Sequence, residues 1–337
     1  MKIFFKFFFL FFLLFFYTNL FAKDGSAIAL MYHRFEENKY PSTSISQKNF
    51  HSQLLYLKEN NFNVLPITSL IDFFYHNKPL PEKSVFITVD DAYTSFYKFA
   101  FPVLKKFNFP FSIFLSTDFI SKDGKNDFMN LEMLREIKDN NGEIYNHSHK
   151  HQSFIKRPLE EVEKDILKAD KIIKENLGVF KKIISYPYGE SNKSVEQLIQ
   201  KLGYKIGFSQ HSSPIHFDEN KFNLPRFSIN DEYGDLKRFK QIVNVKPLNF
   251  SFFEIKKKQQ HNSTLEINFK SNFNLKNINC FISDGILKKE INDNFIRLEL
   301  SKLSKNKRYR LNCTTLKNKN IYWFGKMIIK EKGEFLY

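Results

Sequence analysis

The sequence predicts an α/β domain with a largely parallel sheet, followed by a small all-β, sandwich-like module. From about Ala27 to Val245, short apolar runs alternate with stretches of helical periodicity, the signature of repeated strand–helix units. About seven such units favour a closed barrel over an open sheet. After about Pro247 the helical period disappears, and short alternating runs separated by polar turns take over. The expected organisation is a leader over 1–22, an α/β domain over 23–245 and a β module over 250–337. Neither an internal repeat nor a low-complexity linker stands out.

The elements follow in order. "AIALMYH" is a buried strand. "SQKNFHSQLLYLKENN" carries Phe50, Leu54 and Leu57 at helical spacing, with Ser46 placed to cap it. "SVFITVDD" is an apolar strand ending on two acids, "SFYKFAFPVLKKFN" a helix and "PFSIFLS" a strand. "NLEMLREIKDNN" is a helix and "GEIYNH" a strand. "PLEEVEKDILKADKIIKENLG" is a long amphipathic helix with Pro158 near its start and Gly178 at its end. "KKIISYPYG" is a strand, "SVEQLIQKLG" a helix and "YKIGFS" a strand. In the module, "STLEINFKSN", "INCFISDG", "NFIRLELSKL", "KRYRLNCTTL" and "IYWFGKMIIK" read as strands. "YRLNC" puts Tyr309 and Cys313 on one of them, as immunoglobulin-like strands often do.

Composition narrows the function. The chain has 337 residues, 42% apolar, with a formal net charge of +16. Such a charge favours anionic partners. The abundance of Lys, Asn, Ile and Phe with little Gly or Ala is also what AT-rich coding produces. The basic residues are scattered and no nucleic-acid motif is present, which argues against nucleic acid as partner. The N-terminus has Lys2 and Lys6 before an uninterrupted apolar run, Phe7 to Tyr17, then Leu20-Phe21-Ala22. This reads as a secretory signal peptide, since the run is short of the roughly 20 residues of a membrane span. The expectation is export to the periplasm or outside the cell, with an uncleaved N-terminal anchor as the alternative. In such a compartment the two cysteines, Cys280 and Cys313, are expected to form a disulfide.

Four stretches place reactive side chains at the ends of strands, where parallel α/β folds collect their function. "TVDDAY" ends on Asp90 and Asp91, which repel each other unless something positive compensates. A metal ion beside one of them is a natural solution, although a solvated turn also carries such a pair. "NHSHKH" holds His147, His149 and His151, and neutral imidazole is a common metal ligand. A helical turn would converge His147 and His151, whereas a straight strand would put all three on one face. "SYPYGE" makes a rigid turn able to aim a backbone N–H at a developing oxyanion. "LMYHR" ends its strand on His33.

Together these stretches resemble the polysaccharide deacetylase family, with its NodB homology domain (carbohydrate esterase family 4). The motifs are Thr88-Val89-Asp90-Asp91-Ala92, His147-Ser148-His149-Lys150-His151 and Ser185-Tyr186-Pro187-Tyr188-Gly189. The resemblance spans roughly residues 27 to 235. It implies a distorted (β/α)7 barrel and an exported, metal-dependent N-deacetylase acting on an N-acetylated glycan. It implies Asp90 as general base, and Asp91, His147 and His151 as ligands of a divalent metal. Zinc is the default ion, with cobalt, nickel or iron also accepted by this set. The N–H of Tyr188 would stabilise the oxyanion. The family's late general-acid histidine has no clean counterpart, since His211 and His216 sit in a polar stretch. In the circularly permuted poly-N-acetylglucosamine deacetylases an early Tyr-His supplies that acid, and "LMYHR" resembles this arrangement, giving the role to His33. "LPRFSI" is similar to a late strand of the same relatives, and Tyr40, Ser42 and Thr43 lie on a loop placed to meet sugar hydroxyls.

Two departures matter. The glycine after the Asp pair is Ala92, a mild change if φ is negative there. The arginine of the third motif, which orients the base, is Ser185, and Arg226 or Arg34 would have to replace it from another strand. Its absence motivates a competing reading, a catalytically weak or inactive glycan-binding protein that keeps the fold. The ligand set alone also suits a two-histidine, one-carboxylate iron oxygenase. The basic β module is expected either to hold an anionic glycan or envelope protein or simply to pack against the barrel.

Overall fold

A computed structural model describes residues 25–336 apart from 124–126, 179, 258–264, 293–294, 305–306 and 332–333. The expected signal peptide lies outside the described residues.

The apolar runs of the first domain become strands covered on both faces. They are β1 (Ser26–Tyr32), β2 (Ser84–Asp90), β3 (Phe111–Leu115), β4 (Gly142–Asn146), β5 (Ile183–Ser185) and β6 (Ile206–Phe208). All neighbours in this order pair in parallel. Every residue of β2 and β3 is buried, which explains apolar runs without alternation. A seventh stretch, Leu224–Ser228, nearly closes the ring. Leu224 bridges to Phe208 of β6, while Phe227 and Ser228 pair in parallel with Leu30 and Met31 of β1. The result is a curled, distorted barrel of the expected α/β type.

Helices on the outside are capped by short polar side chains that satisfy orphan amides. Ser46 caps Gln47–Glu59, Asn130 caps Leu131–Lys138 and Asn192 caps Lys193–Lys201. The long helix Leu159–Leu177 begins after Pro158 and ends at Gly178, whose φ is +83°. Two short helices, Ser69–His76 and Leu236–Ile242, add to those read from the sequence.

The remaining strands form two sheets over one core. Phe252–Lys257, Leu265–Lys270, Phe295–Ser301 and Ile286–Asn292 make one sheet, in that spatial order. The other contains Asn279–Ile282, Lys307–Lys317 and Asn320–Glu331. Leu265, Ile267 and Leu298 of the first meet Tyr309, Leu311 and Ile328 of the second in a shared apolar cluster. Cys280 and Cys313 are register partners on adjacent antiparallel strands and are disulfide-bonded.

The barrel and the module are tightly joined. Lys246 and Pro247 pair in parallel with Tyr322 and Trp323 of the module. The Trp323 ring meets Phe227 edge-on, with centroids 5.6 Å apart. A Cβ on Gly325 would lie 2.0 Å from the Ser212 carbonyl oxygen, so this approach requires glycine. Among the described residues no helix is long and apolar enough to cross a membrane.

Candidate metal centre and catalytic pocket

The two adjacent aspartates have different partners. Asp90 is the last residue of β2 and is fully buried. Both Asp91 and Ala92 then adopt left-handed backbone, with φ of +72° and +58°. The family glycine position is therefore one that favours glycine, and the expectation of a mild change at Ala92 fails on this φ. A left-handed residue with a Cβ costs about 1 kcal/mol.

Asp90 is clamped by Arg226, which is itself 0% exposed. The two terminal nitrogens donate to its two carboxylate oxygens at 2.7 and 2.8 Å, a bidentate pair. The guanidinium also donates to Ser185 Oγ at 2.8 Å, Thr88 Oγ1 at 3.2 Å and the Ser209 carbonyl at 3.0 Å. Ser185 thus leaves room for an arginine arriving from Leu224–Ser228, across the barrel interior. Arg34 goes elsewhere: it pairs with Glu37 and lies over the rings of Tyr40 and Tyr93. Burial alone would raise the Asp90 pKa, but the Arg226 charge beside it holds the carboxyl well below its usual range. His33 Nε2 lies 3.9 Å from Asp90 Oδ2.

Asp91 faces two histidines instead. His147 follows β4, and its Nδ1 meets the Ser185 carbonyl at 2.8 Å. That acceptor places the proton on Nδ1 and leaves the Nε2 lone pair free. Burial lowers the His147 pKa to about 4, which keeps the imidazole neutral. The next residues are neither helix nor straight strand. Ser148 is left-handed at φ +74°, and its hydroxyl accepts from the His151 amide at 2.8 Å. This turn returns His151, with Nε2 3.2 Å from Asp91 Oδ1. His149 points away, with Nδ1 2.9 Å from Thr117 Oγ1 and Nε2 3.4 Å from Asp118.

Asp91 Oδ1 and His147 Nε2 are buried with no hydrogen-bond partner. Asp91, His147 and His151 bring one ligand atom each to within 4.8 Å of one another. One carboxylate and two imidazoles, convergent and with Asp91 Oδ1 and His147 Nε2 unpartnered, fit a divalent cation that prefers nitrogen and oxygen ligands.

Tyr188 completes the pocket. Its φ and ψ are +59° and 8°, the residue is 42% exposed, and its ring centroid lies 4.7 Å from that of His151. The amides of Gly189 and Glu190 are used within the turn, on the carbonyls of Tyr186 and Pro187. Of the other candidates, Tyr40 is exposed, and the Ser42 carbonyl accepts from Asn230 at 2.6 Å. His211 does not lie in an open polar loop: it is buried, and burial drops its pKa to about 3. Sequence reasoning missed Arg308 and Glu190, which line a cleft that reaches the site at His151 and Tyr188, from the module and from the end of the Tyr188 turn. Nothing in an outward-facing arginine on an alternating strand marks it as part of a site.

Comparison with known proteins bears on family and fold. Residues 77–207 match the polysaccharide deacetylase family. A poly-beta-1,6-N-acetyl-D-glucosamine N-deacetylase of Staphylococcus aureus (strain MSSA476) is 30% identical over 240 residues, covering 62% of this chain and 81% of the relative. The protein of that name from Staphylococcus epidermidis is 27% identical over 237 residues, with 61% and 80% covered. Among solved structures, the Streptococcus pyogenes deacetylase PplD in complex with acetate superposes with a TM-score of 0.60 at 20% identity, over 65% of this chain and 98% of that one. IcaB from Ammonifex degensii gives 0.56 at 23%, over 66% and 97%. These two likenesses establish the fold of the barrel. With the family match, a relative covered over four fifths of its length and the barrel fold in agreement, the chain belongs to the polysaccharide deacetylase family.

Proposed function

We propose that this protein is a metal-dependent N-deacetylase of an N-acetylglucosamine polymer of the poly-β-1,6 type, exported to the periplasm or beyond. The observation that carries the reading is the split between neighbouring carboxylates: Asp90 held by Arg226, Asp91 Oδ1 left open beside two histidines. A divalent ion bound by Asp91, His147 and His151, with zinc the first choice, would polarise the acetyl carbonyl and acidify a water. Asp90, kept ionised and oriented by Arg226, accepts a proton from the attacking water. The water oxygen bonds to the acetyl carbon, and the Tyr188 N–H stabilises the oxygen that takes up the charge. His33 gives a proton to the departing amine nitrogen as the C–N bond breaks, so acetate and a free amino sugar leave. The names of the Staphylococcus relatives support the polymer class. Ser185 gave the ground for an inactive protein, and the Arg226–Asp90 pair supplies the missing orienting charge.

The test is acetate release from β-1,6-linked N-acetylglucosamine oligomers. Wild-type protein loaded with zinc is expected to turn over, and Asp90→Asn to lose roughly 10²- to 10⁴-fold, the range of a general base. Acetate release that persists in Asp90→Asn would remove Asp90 from the base role.

A further inference from the structure

The Tyr188 turn holds a residue with a side chain in left-handed backbone, at a cost of about 1 kcal/mol. Such a conformation persists only where its surroundings enforce it. From the barrel side, Ser209 Oγ donates to the Gly189 carbonyl at 2.7 Å. From the other side the holding group comes from the C-terminal module. Arg308, on Lys307–Lys317, donates from Nη1 to the Tyr188 carbonyl at 2.9 Å. Its Nε lies 3.5 Å from Glu190 Oε1, and Glu190 in turn accepts from Ser153 Oγ. The guanidinium sits 5.7 Å from the Tyr188 ring centroid. Arg308 thus grips the carbonyl of the residue whose amide is assigned to the oxyanion, and the carboxylate two residues on. His151, Tyr188 and Arg308 line one cleft of ≈ 470 Å³. The module that delivers Arg308 is seated by the glycine-tight contact of Gly325 on Ser212 and by the parallel pairing at Lys246.

We propose that the C-terminal module forms the outer wall of the substrate cleft and that its Arg308 is a positioning residue for deacetylation, fixing the Tyr188 turn. The inference deepens the deacetylase reading and rests on it for its kinetic test. Arg308→Ala and Arg308→Lys are compared with wild type, full chain and zinc-loaded, on a β-1,6-linked N-acetylglucosamine disaccharide and hexamer. Losing control of one oxyanion donor is expected to lower kcat about tenfold for Arg308→Ala, below the full loss of such a donor. KM, bound zinc and Tm stay at wild-type values, the two substrates lose equally, and Arg308→Lys recovers part of the rate by restoring the bond to the carbonyl. An unchanged kcat overturns the proposal, and so does a loss confined to the hexamer, which would make Arg308 a sugar contact only. If wild type itself releases no acetate, the deacetylase reading fails. Hydrogen exchange then decides separately: Arg308→Ala should speed exchange in the peptide spanning Tyr188 to Glu190 and leave the β2 peptide unchanged. Unaltered exchange there overturns the grip itself.

Discussion

The barrel and the C-terminal module bury their polar groups differently. In the barrel, buried polar side chains gather at the ends of the parallel strands: Thr88, Asp90, Asp91, Asn146, His147, Ser185 and Arg226. Each resists burial unless paired, and all but Asp91 Oδ1 and His147 Nε2 have a partner. In the described part of the module the core is apolar, with a disulfide across adjacent strands, and the buried polar side chains are Asn312, Thr315 and Lys330. The difference separates a region that holds charges in low dielectric from one whose core is apolar and cross-linked.

Breaking the barrel's side of that comparison should have the largest effects. His147→Ala and His151→Ala are expected to abolish bound metal, measured by elemental analysis after dialysis, while His149→Ala retains it. Equal loss in all three would bring His149 into the ligand set. Arg226→Met leaves Asp90 as an unpaired buried charge and should cost about 3–5 kcal/mol by denaturant unfolding. A cost under 1 kcal/mol would mean that solvent or another cation reaches Asp90.

The module's side is sharpened by its disulfide. Cys280 and Cys313 close a loop with a sequence separation of 33, for which chain entropy gives about 3–4 kcal/mol. The double serine variant should lower the unfolding free energy by that order in denaturant titration, yet keep kcat at temperatures where it remains folded. A fall in kcat under those conditions would mean that the disulfide also sets the position of Arg308. The smallest effect is expected at Ala92. Removing its Cβ relieves a left-handed residue but adds freedom to the unfolded chain, so Ala92→Gly should change stability by between 0 and about 1 kcal/mol in favour of the fold. Destabilisation on thermal melting would show that the buried methyl outweighs the backbone.

Much of the barrel is legible in the sequence because its strands are buried on both faces and its helices are amphipathic, two patterns with different periods. The module's inner strands are legible for the same reason: Phe295–Ser301 alternates strictly. Ile286–Asn292 is not, since most of its side chains face solvent and leave no period to read. The strings that carry the site are equally visible, but their convergence is not. Nothing local distinguishes Arg226 from Arg34 as the partner of Asp90, because the choice depends on which strand projects inward 136 positions away. The backbone at Ala92 and the burial of His211 are likewise set by tertiary contacts.

Leu224–Ser228 both nearly closes the ring of strands and carries Arg226. The two tasks therefore cannot be separated in time. While the chain is being made, Asp90 emerges long before its counter-charge, and in an open, wetted sheet it is an ordinary carboxylate with no fixed orientation. Only when the last strand docks do closure of the wall and alignment of the Asp90 carboxylate occur together. The orientation of Asp90 is thus tied to complete barrel assembly, and a half-folded chain lacks the pair that fixes it.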